Sequence, residues 1–173
     1  MPLFLTEIAP STSVDALLKT VQSAVSSAGG EFIEAQVTAD QGRVFIILEA
    51  DSSDGLQAAL SGAGIPTDSL DPVRLVGADL AEVKRTRPAS GYLVEWDIPS
   101  GITMDAYLAR KKEKSPLYAQ VPETTFQRTY VREDMVKCLC FYDAPDEAAV
   151  IRAREVVSTP IDRLHRLDTR DLS

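Results

Sequence analysis

Two cysteines, Cys138 and Cys140, stand two apart in the run KCLCFYD. On an extended strand, side chains at i and i+2 point the same way, so both thiols share a face with Tyr142. Two thiols on one face could hold a soft metal, or one of them could be a nucleophile. A structural zinc or iron–sulfur site wants further Cys or His ligands, and the chain has no third cysteine and one histidine, His165. The plainer alternative is that both cysteines fill core, where free cysteine is common. Their spacing of about 6–7 Å along a strand is near the limit for an undistorted disulfide. Reduced thiols in a cytosolic protein are therefore expected.

His165 is a candidate general base, being the side chain that titrates nearest neutrality, with Asp162, Asp168 or Asp143 as partner. A strand-end histidine without a role is the alternative. Glu95 and Asp97 alternate onto one face of a strand, with Trp96 on the other. Arg128 and Tyr130 share a face of a later strand. Should that polar face line a buried space, His165, Tyr130, Glu95 and Arg128 would be its catalytic candidates, one with a perturbed pKa. A salt bridge, or a strand end in water, is the competing reading. A metal would draw on His165, Cys138 and Cys140. Most aromatic residues fall in the second half, and Trp96, Tyr107, Tyr118 and Tyr142 are candidate walls for a flat organic ligand. A bulkier core would explain them equally well.

The elements that position these groups are legible around Phe126 to Glu147. Phe126–Val131 is rich in aromatic and β-branched residues, as a strand wants. Arg132-Glu133-Asp134 is short and polar enough for a hairpin loop, and Val136–Tyr142 is a second strand. Asp143 is the expected N-cap of the next helix, with Pro145 in its first turn. Ala149, Val150, Ala153, Val156 and Val157 then recur at helical spacing. His165 opens the last strand. Earlier, a strand at Leu3–Ile8 leads to a helix capped by Thr12 or Ser13 and stopped at Gly29-Gly30. Strands at Phe32–Thr38 and Arg43–Leu48, a short helix around Leu56–Leu60 and a strand around Val73–Val76 follow. Asp79–Val83 is read as a helical turn and Arg87–Ser90 as linker.

The order β-α-β-β-α-β thus occurs twice. LFLTEIAPS answers YLVEWDIPS, and VFIILEA answers CLCFYDA, at offsets of 89 to 94 residues. The expectation is an α+β protein of two ferredoxin-like repeats, 1–77 and 91–173 joined by a linker at 78–90. The repeats would pack sheet to sheet as an intramolecular, dimeric α+β-barrel-like pseudo-dimer.

Composition removes several functions. The 173 residues carry a formal charge of −8, which argues against a nucleic-acid partner. The one basic cluster, Arg110-Lys111-Lys112 with Lys114, reads as a solvated helix face. The N-terminus lacks the features of a secretory signal. No apolar run approaches the roughly 20 residues of a membrane span, so a cytoplasmic protein is expected. No phosphate loop, nucleophile elbow, HExxH or dinucleotide fingerprint occurs.

The segments YLVEWDIPSG, RTYV, KCLCFYDAPDEAAV and STPIDRLHRL resemble the small bacterial nickel-binding-protein-like family, a ferredoxin-like group. The resemblance covers residues 91–168, and extends to residues 2–76 only through the internal repeat. It implies a dimeric α+β-barrel-like assembly and nickel, or another divalent transition metal, as cofactor. A binding protein for a metal ion or small organic ligand is the first functional expectation, as a monomer with an internal pseudo-dimer or as a homo-oligomer. A cofactor-independent isomerase, cyclase or monooxygenase-like enzyme is the second. A structural or interaction module without chemistry is the third.

Overall fold

A computed structural model describes residues 1–66, 68–86 and 89–168. The chain divides into two compact units. The first holds Met1–Arg74 with the later residues 80–86 and Asp168; the second holds Leu75–Asp79 with residues 89–167.

In the first unit the strands are β1 (Leu3–Ile8), β2 (Glu31–Val37), β3 (Val44–Glu49) and β4 (Asp71–Val76, whose last two residues count with the second unit), and the helices are α1 (Val14–Ser27), α2 (Ser53–Gly62) and α3 (Leu80–Thr86). The strand order is β2-β3-β1-β4, all antiparallel. Ser13, rather than Thr12, caps α1: its Oγ accepts from Ala16 N at 3.1 Å. Alternate strand residues Phe4, Ile8, Val44, Ile46 and Leu48 then meet Leu18, Val21 and Val25 of α1 and Leu56 and Leu60 of α2 in one core. Helix α3 is longer than the turn expected at Asp79–Val83. Val83 is buried, and Lys84 Nζ reaches Glu31 Oε2 at 3.0 Å and Glu49 Oε1 at 2.9 Å, which ties the helix to β2 and β3.

In the second unit the strands are β5 (Tyr92–Asp97), β6 (Thr125–Arg132), β7 (Lys137–Asp143) and β8 (Arg163–Arg166); the helices are α4 (Met104–Lys114) and α5 (Glu147–Val156). The order β6-β7-β5-β8 is again antiparallel throughout. Helix α4 stops at Lys114, just before Pro116. Pro116 sits at the start of a 3₁₀ turn, Ser115–Gln120, which carries Tyr118 back toward the sheet. One expectation is corrected here. Asp143 ends β7, and the cap of α5 is Asp146, whose Oδ1 accepts from Ala149 N at 2.9 Å. Pro145 excludes the residue before it from the helical region, so the helix begins only after it.

No helix among the described residues is long and apolar enough to cross a membrane.

Candidate functional site

Each sheet face of the second unit carries a different chemistry, and cross-strand register decides which residue goes where. Directly opposed residues share a face, and neighbours along a strand alternate. Val94 lies opposite Cys140 and Trp96 opposite Cys138, so both thiols look toward α4 and α5. Leu93 lies opposite His165 and Glu95 opposite Arg163, so these project the other way.

On the helix face a cavity of about 30 Å³ lies between the sheet, α4, the 3₁₀ turn and the C-terminal end of α5. It has room for about two water-sized groups. Trp96, Tyr107 and Tyr118 give it aromatic walls; Arg110, Lys111, Lys114 and Arg154 give it positive charge; Cys140 is part of its lining, and no acidic side chain is. The basic cluster of α4 is therefore only partly the solvated face expected of it. Arg110 Nη2 donates to Ser158 O at 2.6 Å, and Lys111 Nζ stands 4.4 Å from the centre of the Phe126 ring. Lys112 stays exposed.

Arg154 is 3% exposed. Its Nη2 donates to Pro160 O at 2.8 Å, and its Nη1 reaches Tyr142 Oη at 3.2 Å and Cys140 Sγ at 3.6 Å. Its Nε is buried with no hydrogen-bond partner, and the buried hydroxyl of Tyr107 stands against Cys138. Tyr142 Oη also lies 2.7 Å from Tyr118 Oη. Burial pushes the Tyr142 phenol well above its ordinary range. Around Cys140 the balance is reversed. The neighbouring Cys138 Sγ is 3.9 Å away, and Thr129 Oγ1 donates at 3.3 Å. These hydrogen bonds, with the charges of Lys111 and Arg154, outweigh burial and hold the Cys140 thiol well below its ordinary range. Hydrogen bonding to Cys140 and burial push Cys138 up.

On the opposite face Glu95, 2% exposed, is the centre of an ion-pair network. Its oxygens lie 2.7 Å from Lys137 Nζ, 2.9 Å from Arg163 Nε and 2.7 Å from His165 Nε2. Arg163 also pairs with Asp97 at 2.5 Å. Burial alone would raise the Glu95 pKa; hydrogen bonds from His165 and Lys137 overcome it and bring it down to about 2. Tyr130 and Arg128 are on this face too, each packed on Phe141, with the Tyr130 ring 5.8 Å and the Arg128 guanidinium 4.7 Å from its centre.

The catalytic candidates Glu95, His165, Arg128 and Tyr130 all lie on this face, Glu95 against His165, and Arg128 and Tyr130 against Phe141. Glu95 is a carboxylate partner of the histidine, at 2.7 Å. Of the ligand-binding candidates, Trp96, Tyr107 and Tyr118 line the cavity and Tyr142 supports it through its two hydrogen bonds. The metal set does not assemble: His165 is on one sheet face and Cys138 and Cys140 on the other. Among the described residues no group of three or more His, Cys, Asp or Glu could hold a metal ion. Arg154 was not singled out from the sequence. Its signal was there, because Val150, Arg154 and Val157 follow i, i+4, i+7 spacing, which puts a charged residue on an apolar stripe.

Among the described residues the fold and this site define an α+β protein with eight antiparallel strands and a small cationic, aromatic cavity. Among solved structures the fold is similar to a crystal structure provisionally named a chlorite dismutase. It has a TM-score of 0.56 and 12% identity, and the match covers 99% of this chain and 98% of that one. A provisionally named monooxygenase from Fusobacterium nucleatum subsp. nucleatum matches at a TM-score of 0.45 and 9% identity, over 98% of this chain and 92% of that one. Residues 92–167 match the family described as nickel responsive protein SCO4226-like. No curated protein matches the chain.

Proposed function

We propose that this chain is a small binding protein whose site is the cavity of the second unit. Its occupant carries a carboxylate or a similarly small anionic group on a flat organic body. One observation carries the reading: four cationic side chains and no acidic one line a cavity in a protein of formal charge −8. The guanidinium of Arg154 is one of the lining groups, and charge-assisted bonds from guanidinium to an anion are about twice as strong as neutral ones. The space of about 30 Å³ admits the head group, while Trp96 and Tyr118 offer aromatic surface to the rest.

The nickel of the matched family's name does not fit these residues. Two thiols are the donors present, the charges around them are positive, and divalent first-row metals want more imidazole, thiolate or carboxylate ligands than the face supplies.

The two units read as copies of one split βαβ element, with repeats at 1–77 and 91–173. Both have the order β-α-β-β-α-β and the same strand order, and caps recur at Ser13 and Thr103 and at Ser52 and Asp146.

The test is isothermal calorimetry and thermal shift with acetate, benzoate, 4-hydroxybenzoate and nickel chloride. Benzoates that bind and raise the unfolding midpoint by mass action, with binding lost in Lys111→Glu, support the reading. Nickel stabilisation with no response to carboxylates sinks it.

A further inference from the structure

We propose that Cys140 is a peroxide-reactive thiol, with Cys138 as its resolving partner and Thr129 and Arg154 as positioning residues. The inference deepens the reading of the cavity as a ligand site and rests on it for access.

A cysteine that only fills core needs no polar company. Cys140, although it packs in a core with Val94 and Val150, has three such neighbours. Thr129 Oγ1 donates to its sulfur at 3.3 Å, Arg154 Nη1 at 3.6 Å, and Cys138 Sγ lies at 3.9 Å. Thr129 is fully buried, so its hydroxyl has been given up to this contact. Cys140 also lines a cavity of about 30 Å³, which suits a molecule of two oxygen atoms. The Arg154 guanidinium, which lines the cavity and already donates to Cys140 Sγ, suits the oxygens of a hydroperoxide. Thiolate, donors and space together are what attack on an O–O bond requires, since the thiolate is the nucleophile and the departing oxygen needs a donor.

In the first step the Cys140 thiolate sulfur attacks the terminal oxygen of a hydroperoxide. An S–O bond forms and the O–O bond breaks. The departing oxygen takes a proton from solvent and leaves as water or an alcohol. Sulfur is oxidised to sulfenic acid by two electrons, which the peroxide gains. In the second step the Cys138 sulfur attacks Cys140. An S–S bond forms, the S–O bond breaks, and hydroxide leaves with the Cys138 proton as water. A dithiol reductant returns the pair to two thiols. A disulfide between strand positions i and i+2 is at the edge of allowed geometry and so is easily reduced.

The test uses the full-length reduced protein and hydrogen peroxide, followed by Trp96 fluorescence and intact mass. The wild type is expected to react about ten-fold or more faster than its own thiols do in urea, and to end two hydrogens lighter. Cys138→Ser is expected to stop at a sulfenic acid on Cys140 that dimedone captures, and Cys140→Ser to be inert. Thr129→Val keeps the shape of the core and is expected to slow the first step about ten-fold with unchanged circular dichroism. The inference is overturned if Cys140→Ser reacts like the wild type, if Thr129→Val leaves the rate unchanged, or if folding gives no acceleration. Carboxylate binding by a peroxide-inert wild type overturns the inference alone and leaves the proposed function standing.

Discussion

His165 Nε2 lies 2.7 Å from Glu95 Oε2, while the other Glu95 oxygen lies 2.7 Å from Lys137 Nζ. A carboxylate 2% exposed is thus held charged by partners on both neighbouring strands, β7 and β8, and its pKa is brought from 4.5 to about 2. Because the folded state lowers this pKa, the linked stability is present in full above the unfolded value near 4.5. It is lost as pH falls toward 2. The shift corresponds to about 3 kcal/mol. Glu95→Gln is expected to lower stability by roughly that much at pH 7, measured by urea unfolding. The gap to wild type should narrow steadily as the pH is lowered from 5. A gap that stays constant across that range would refute the linkage.

Helix α5 starts at Asp146, not at Asp143. Asp146→Ala is expected to cost about 1 kcal/mol through the lost bond to Ala149 N. Asp143→Ala should cost less than half of that, since Asp143 is an exposed strand end. Chemical denaturation of the two variants side by side decides it, and equal losses would put the cap in the wrong place.

Two glycines should respond to alanine in opposite directions. A Cβ on Gly30 would stand 2.7 Å from Glu49 O, a backbone atom that cannot easily yield, so Gly30→Ala is expected to destabilise the protein. Gly62 is the last residue of α2 and meets nothing within 4 Å, so Gly62→Ala is expected to stabilise by up to about 1 kcal/mol. Thermal midpoints shifting the same way in both variants would contradict the backbone geometry of the first unit.

If the cavity of the second unit binds anions through Arg110, Lys111 and Lys114, its affinity must depend on salt. Calorimetry with benzoate is expected to show several-fold weaker binding in 0.5 M than in 0.05 M sodium chloride. Lys114→Glu should weaken binding further at low salt and flatten the salt dependence. A salt-independent affinity would mean that the ring, not the charge, is recognised.

Much of this fold is written locally. The strand of Leu3–Ile8 was legible to the residue, because apolar and β-branched residues followed by proline leave few alternatives. The start of α1 was legible through its Ser/Thr cap, and the strand pair of β6 and β7 through its polar turn. These signals come from neighbours within a few positions, and a sequence displays such neighbours directly. So does the alternation that put Glu95 and Asp97 on one face and Trp96 on the other.

What the tertiary structure decided is which distant residues meet. Histidine and cysteines looked available to one metal because each lies on a strand; the register of β7 and β8 against β5 sends them to opposite faces. Four basic residues of α4 looked like one solvated stripe; three of them line the cavity beside the turn that follows Lys114, and Lys112 stays in water. Arg154 looked like one more helix charge, and its partners Cys140, Tyr142 and Pro160 come from β7 and the loop before β8. Local spacing fixes the direction of a side chain relative to its own element. Only packing fixes what that side chain faces, and the charge and burial it meets there set its chemistry.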